Sequence, residues 1–434
     1  MSSDPASREN VFANRNFRLV FYGALVSELG SILYSFSVGF YILEITGNSA
    51  FLQGLYLALC GASMLIFTPV GGVLGDRFHK ARIMFLCDYA KGAMILLVTL
   101  LLLLFRSPGV QVVLLFVLGI LGNAVSGIFS PAAGALFPHI VKDEQLQQAN
   151  AYVSMKNSLE GIVGIVLAGI LYAALPIHIL FFLVGISYII SGISEMLIRY
   201  DHQPSPEPLT LRLAAQDIAD GVHYRQTKPA IMALLVSVLF VNFFFSPITG
   251  NFLPYFIKTD LSAAPSYLMD RLLTPEQWLS VFEVCFGLAS LLGAGILSAR
   301  PSEEKVGRKT ALRLLLTSLC TLGLTLAYWL LVDRGGAISA FLICFSVGCL
   351  LMGVLLSLIN IPINTTLMQV VDRDKLSKVA SLISIVSQGM VPISSVLAGL
   401  VLGHLGSSAL LLICSLGFMI SSLMLLFNKR IHEI

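Results

Sequence analysis

Long apolar runs, separated by short polar stretches, extend along almost the whole chain. Each run approaches or exceeds the ~20 apolar residues that a helix needs to cross a bilayer. The runs are continuously apolar and lack the two-residue alternation that is typical of strands in an outer-membrane barrel. The pattern therefore predicts an all-α membrane protein with twelve spans, at 17–44, 50–75, 83–105, 110–137, 147–173, 176–198, 230–257, 278–299, 311–332, 337–368, 376–403 and 407–427.

Composition narrows the class of protein. The 434 residues are 56% hydrophobic and 12% charged, and the formal net charge is only +3. Soluble domains carry about 25% charged residues, so lipid is the expected solvent, and the small net charge argues against a nucleic-acid partner. The seven cysteines lie in apolar runs without metal-ligand spacing. No nucleophile elbow, phosphate-binding loop or zinc motif is present, so we expect neither an enzyme nor a cofactor.

The basic residues predict an orientation in the membrane. Of the 27 lysines and arginines, 21 fall in one alternate set of loops and termini, whereas the other set holds only Arg106, Lys258, Arg271 and Arg334. Because cytoplasmic loops carry the excess of positive charge, the first set and both termini are expected in the cytoplasm. The first ten residues are polar, so no cleavable signal peptide is expected.

The longest polar stretch, 199–229, separates six predicted spans from six. It contains three prolines, which favour a linker. The sequence Val-Leu-Ala-Gly at 166–169 recurs at 396–399, so the two halves of the chain repeat each other at an offset of 230 residues. We therefore predict a six-helix bundle at 1–198, a cytoplasmic linker at 199–229 and a second six-helix bundle at 230–434. Two parallel repeats with a binding site between them are an architecture of transporters.

The loop between the second and third spans reads GGVLGDRFHKAR at 71–82. It resembles the signature loop of the major facilitator superfamily, in which glycine, leucine, aspartate and arginine precede a basic pair. Thr46-Gly47 after the first span and Ser130-Pro131 in the fourth resemble the branch of macrolide-efflux proteins and enterobactin-type siderophore exporters. This resemblance implies the major facilitator fold, with twelve helices in two six-helix bundles.

The resemblance also implies a gate around the signature loop. Asp76 is expected to cap span 11 on the cytoplasmic side, and Gly72 is expected to belong to the same gate. Arg77 and Arg82 suit the negative carbonyl end of span 2. Asp88, two turns into span 3, is expected to join this network. The alternative is a set of solvated loop charges that only anchor the loop in the cytoplasm.

Charged residues inside the spans are candidates for function because each costs about 2.5–3.5 kcal/mol to insert. Glu28, near the middle of span 1, is the main candidate for proton or cation coupling; its alternative is a structural hydrogen bond. Lys156 and Glu160 lie four residues apart on span 5 and so share one face. They would tune coupling, hold an ionic substrate group or pack as a structural pair. Glu283 in span 8 is expected to face the cavity.

Other polar residues complete the candidate set. Asn242 and Asn364 are expected to offer uncharged hydrogen bonds to a substrate, because the resemblance places spans 7 and 10 on the cavity. Lys91 in span 3 is expected to extend its ammonium to the cytoplasmic surface. Glu195, near the end of span 6, is expected at the membrane interface.

These features predict a secondary active transporter that exports an amphipathic small molecule, drug-like, macrolide-like or siderophore-like, by alternating access. The expected partners are that substrate, a proton or other coupling ion, and membrane lipid. We expect a monomer in the bacterial inner membrane. A lysophospholipid flippase is the alternative within transport. A receptor or scaffold that has lost transport is the alternative of another class, against which the charges of Glu28, Lys156 and Glu160 argue.

Overall fold

The computed structural model describes residues 10–142, 145–200, 239–298, 306–370 and 389–427. In these ranges the chain forms helices and no strand. The helices, in chain order, are α1 (Arg15–Ile45), α2 (Ala50–Arg77), α3 (Lys80–Leu104), α4 (Pro108–Ile140), α5 (Leu146–Ala174), α6 (Ile177–Met196), α7 (239–261), α8 (Gln277–Ser298), α9 (Val306–Tyr328), α10 (Ile338–Val370), α11 (Val391–Leu405) and α12 (Ser407–Phe427).

Ten of the described helices are long and apolar enough to cross a membrane. They are all of the twelve except α7 and α11, and α11 is a shorter apolar helix. The all-α membrane fold predicted from the apolar runs is thus confirmed. Parts of spans 7 and 11 lie outside the described residues, as does all of the predicted linker beyond Tyr200.

The chain divides into two compact units. Unit 1 comprises Met1–Ser37, Ser63–Ala168 and Leu175–Arg212. Unit 2 comprises Val38–Ala62, Gly169–Ala174 and Leu213–Ile434, so it includes the last part of α1, the first part of α2 and the end of α5. The division into bundles at 1–198 and 230–434 remains a prediction.

The N-terminal segment closes one end of unit 1. A short 3₁₀ turn at Val11–Ala13 precedes α1. The backbone N–H of Val11 donates to Oε1 of Gln148 at 3.1 Å, and Nδ2 of Asn14 donates to the carbonyl of Ile140 at 2.6 Å. This end also carries most of the described basic side chains of the unit, and we call it the basic end; they are Arg15, Arg18, Arg77, Lys80, Arg82, Lys142 and Arg199.

Glycines bring α3 and α6 into close contact within unit 1. A Cβ added to Gly92 would lie 2.9 Å from the carbonyl oxygen of Gly185. One added to Gly192 would lie 2.8 Å from the ring of Tyr89. Small residues allow such close backbone approach between membrane helices. The polar side chains of the two helices are therefore packed side by side.

The crossing of α2 and α4 also depends on glycine, and it supplies a matched test. We expect Gly127→Ala to destabilise the protein by about 1–3 kcal/mol through overpacking, because its Cβ would lie 2.6 Å from the carbonyl of Met64 and 3.0 Å from the backbone nitrogen of Thr68. Gly122→Ala, on the same helix, meets no atom within 4 Å and should be neutral or stabilising. Thermal unfolding in detergent measures both, and equal midpoints would contradict the packing argument.

Helix α7 departs from regular α-helical geometry. Five-residue π-helical turns occupy Ile248–Phe252 and Ile257–Leu261, with a short α-helical stretch between them. Pro247 directly precedes the first turn, and Pro254 lies in the α-helical stretch. Proline removes a backbone donor, and π turns often mark functional positions in helices.

Candidate functional site

Lys156 and Glu160 form a buried ion pair inside unit 1. Nζ of Lys156 lies 2.8 Å and 3.0 Å from the two carboxylate oxygens of Glu160. Both residues are buried. Their spacing of four along α5 predicted a shared face, and the structure places the side chains in contact. The contact neutralises both charges within the apolar helices.

Glu28 lies on the exposed side of α1, in the same unit. It is within electrostatic range of Asp88, Lys91 and Glu160. Glu28 is therefore an exposed carboxylate on a membrane helix, with three charged side chains in its surroundings. The sequence had suggested Glu28 from its depth along span 1 alone.

Lys91 does not extend to the membrane surface, so that expectation was wrong. Its Nζ donates hydrogen bonds to Oγ of Ser126 at 2.8 Å and to the hydroxyl of Tyr188 at 2.9 Å. It also lies 4.4 Å from the centroid of the Tyr188 ring. Internal partners on α4 and α6 thus satisfy the ammonium group, which removes the reason for it to reach the headgroups.

Glu195 is not interfacial either, which corrects a second expectation. Its side chain is 0% exposed, and Asp88 on α3 is 2% exposed. The two residues lie near the close approach of α3 and α6, where a Cβ on Gly192 would meet Tyr89 and the carbonyl of Phe85. Asp88 Oδ2 and both carboxyl oxygens of Glu195 are buried and accept no hydrogen bond. Sequence reasoning missed Glu195 because its position near the end of a span indicated an exposed acid.

The signature loop is described in part. Helix α2 ends at Arg77, and both Arg77 and Arg82 are exposed. A Cβ on Gly72 would meet no atom within 4 Å, whereas one on Gly71 would lie 2.6 Å from Cα of Ile128. The close approach of α2 to α4 therefore requires a glycine at position 71 and not at position 72. The side chain of Asp76 lies outside the described residues, and its gating role stays a prediction.

A cavity of about 630 Å³ opens at the basic end of unit 1, beside the start of α3 and the end of α6. The hydroxyl of Tyr200 accepts a hydrogen bond from the backbone N–H of Lys80 at 2.8 Å. Burial raises the pKa of Tyr200, so the phenol remains neutral. The polar residues of the wall are His79, Arg82, Glu195, Arg199 and Tyr200.

Glu283 lines a narrow cavity within unit 2, and its expected position on a transport cavity stays a prediction. The narrow cavity's volume of about 20 Å³ leaves room for roughly one water molecule. Asn242 on α7 is half-buried, and the side chain of Asn364 lies outside the described residues. The aromatic walls of this cavity come from α7, α8 and α10, through Phe245, Phe282, Phe286 and Phe345.

Lys258 is the centre of an ionic cluster in unit 2. Its Nζ lies 3.0 Å from Oε1 of Glu276 and 3.5 Å from Oε2 of Glu44. The rings of Phe40 and Tyr172 lie about 6 Å from the ammonium. The cluster connects the end of α1 with α7 and the segment before α8. Nothing in the sequence revealed it, because the three charged residues are far apart in the chain.

We expect Lys258→Met to loosen this cluster, because Glu276 loses a charge-assisted hydrogen bond worth about 1.5–3 kcal/mol. Amide hydrogen exchange in residues 257–276 should accelerate about tenfold or more. Lys258→Arg keeps the positive charge and should retain most of the protection. Unchanged exchange in the methionine variant would show that the ion pairs do not hold this segment.

Comparison with known proteins places the chain in a family. It is 25% identical to macrolide efflux protein A of Streptococcus pyogenes over 404 residues, which cover 90% of this chain and 91% of that protein. It is also 25% identical to the uncharacterized MFS-type transporter YkuC of Bacillus subtilis (strain 168), over 66% of this chain and 65% of that protein. The enterobactin exporter EntS of Shigella boydii is 28% identical over 36% of this chain and 37% of that protein.

The fold has matching solved structures. The crystal structure of a bacterial homologue of the iron transporter ferroportin, in its inward-facing state, superposes with a TM-score of 0.70 at 18% identity. The match covers 94% of this chain and 98% of that one. These features make the chain a multi-pass membrane protein. The family's sequence profile matches residues 20–395, and the chain therefore belongs to the Major Facilitator Superfamily.

Proposed function

We propose that this protein is a secondary active transporter that exports an amphipathic small molecule, in exchange for protons, by alternating access. The observation that carries the proposal is the group of charged residues inside unit 1. Glu28 is exposed on the surface of α1, and Lys156 and Glu160 form a buried pair. Ionisable residues within membrane helices commonly mark ion or substrate pathways.

The relatives support the direction and the substrate class. Macrolide efflux protein A and enterobactin exporter EntS are named for the efflux of macrolides and the export of enterobactin. An amphipathic compound of similar kind is the substrate we propose here. The basic end of unit 1 would face the cytoplasm, in accordance with the excess of lysine and arginine in that set of loops.

Two measurements test the proposal in sequence. A ligand-induced rise in the thermal unfolding midpoint, across a panel of drugs, siderophores and lysophospholipids, identifies a substrate. The purified protein is then placed in proteoliposomes with an imposed pH gradient. The substrate should accumulate against its own gradient in the acidic compartment. Accumulation that ignores the pH gradient would contradict proton exchange, and transport of lysophospholipids alone would favour the flippase.

A further inference from the structure

We propose that Asp88 and Glu195 form a second proton-carrying site, in which two carboxyl groups hold one proton that is exchanged with water through the cavity at the basic end. The inference rests on the proposed function, because it assigns part of the proton cycle to a place other than Glu28. The site joins α3 and α6 within unit 1.

The first observation is that the two acids lack the partners that buried charges require. Three of their four carboxyl oxygens are buried without any hydrogen bond. Ser191, one turn before Glu195 on α6, lies beside Asp88, but one hydroxyl can donate only one hydrogen bond. Buried ionised carboxylates are normally paired or hydrogen-bonded. A proton held by the pair supplies the missing donor.

The charges around the pair lead to the same conclusion. Asp88 and Glu195 interact electrostatically, and Lys91 interacts with Asp88. The ammonium of Lys91 balances one carboxylate, no described side chain bonds to the oxygens of Glu195, and two neighbouring carboxyl groups resist joint ionisation. One bound proton makes the set of three neutral. The other titratable or charged groups that face the set are Glu28 on α1, Cys87 on α3, Tyr188 on α6, and His79, Arg82, Arg199 and Tyr200 around the cavity.

The second observation is a route for the proton. Glu195 belongs to the wall of the 630 Å³ cavity, although its own oxygens are buried. The guanidinium groups of Arg82 and Arg199 line the same cavity without bonding to Glu195. A small rotation of the Glu195 side chain would bring its O–H to cavity water. The proton would then pass to water and leave a carboxylate, with no other bond broken.

The chemistry of the pair favours a proton over a metal ion. Hard cations such as Ca²⁺ take six to eight oxygen ligands, and Mg²⁺ takes six. The two carboxyl groups and Ser191 supply too few oxygens for such a shell. A proton requires only two oxygens, and it fits the tight contact of α3 with α6.

Infrared difference spectroscopy on the full chain in proteoliposomes tests the proposal. The wild type should show the carbonyl stretch of a protonated carboxylic acid at neutral pH. The double variant Asp88→Asn/Glu195→Gln should lose the band area of one carboxylic acid. Glu44→Gln is the matched control, because Glu44 is exposed and its partner is Lys258, so its removal should leave this band unchanged. If the double variant fails to fold, Glu195→Gln alone should lose the same area, since Asp88 can then pair with Lys91.

The outcomes are distinct. An undiminished band in a folded variant would overturn the proposal. The unfolding midpoint is also compared in sodium and in choline salts. If sodium raises the midpoint of the wild type but not that of the double variant, the site binds a cation and the proposal is overturned. pH-driven export is measured in the same proteoliposomes. Loss of the band in the variant, without pH-driven export by the wild type, keeps the proton site and rejects the proposed function. Proton-driven export with an undiminished band in the variant keeps the proposed function and rejects the Asp88–Glu195 proton site.

Discussion

Replacing Glu28 by glutamine is expected to abolish uphill export driven by a pH gradient while leaving substrate binding intact. The glutamine side chain has nearly the same shape but cannot take up or release a proton. Glu28 is exposed on α1 and lies in electrostatic range of Asp88, Lys91 and Glu160, so its protonation changes the balance of charge in unit 1. Passive exchange of substrate between the two sides should survive, since it requires no net proton transfer.

The assay compares accumulation and exchange in one preparation of proteoliposomes. Glu28→Asp is the matched control, because it keeps a titratable carboxyl group and should retain part of the pH-driven export. Normal uphill export by the glutamine variant would make Glu28 a structural acid. The coupling role would then pass to the Asp88–Glu195 pair, with Glu160 and Glu283 as further candidates.

Lys156→Met is expected to produce the largest loss of stability among the single substitutions considered. It would leave Glu160 buried and unpaired, because the two side chains are each about 5% exposed and bond to one another. Removing one partner of a buried ion pair typically costs about 3–5 kcal/mol. Thermal unfolding of the detergent-solubilised protein should show a markedly lower midpoint. An unchanged midpoint would mean that water already solvates the pair.

The double variant Lys156→Met/Glu160→Gln separates the possible roles of the pair. It removes both charges, so most of the lost stability should return. If the pair only packs, substrate affinity returns as well. If Lys156 or Glu160 holds an ionic group of the substrate, stability recovers while affinity remains low. Ligand-induced shifts of the unfolding midpoint, measured for the wild type and the double variant, distinguish these two results.

The spacing of residues along one helix was enough to predict some contacts of the candidate site but not the others. Lys156 and Glu160 were paired correctly because helical geometry alone brings residues four apart together. Lys91 and Glu195 were misplaced because their surroundings depend on other helices. The partners of Lys91, Ser126 and Tyr188, are 35 and 97 residues away. Sequence separations of that size carry no signal of contact in a single chain.

The sequence by itself determined the features that lipid imposes on any chain. Apolar runs of sufficient length must form helices in a bilayer, because every backbone polar group there needs an internal partner. The helical class, the placement of most spans and the family motif follow from such local patterns. These patterns also indicated which ionisable side chains enter the membrane, since their cost is a property of each residue.

Only the tertiary structure decided which of these side chains meet. The contact of α3 with α6 depends on Gly92, Gly185 and Gly192 acting together, and Asp88 and Glu195 are both buried on these two helices. The cluster around Lys258 joins residues that are 18 and 214 positions away in the chain, at Glu276 and Glu44. Burial and pairing are properties of several helices at once. The sequence of a helix determines its own periodicity, but the side chains that pack against it belong to other helices.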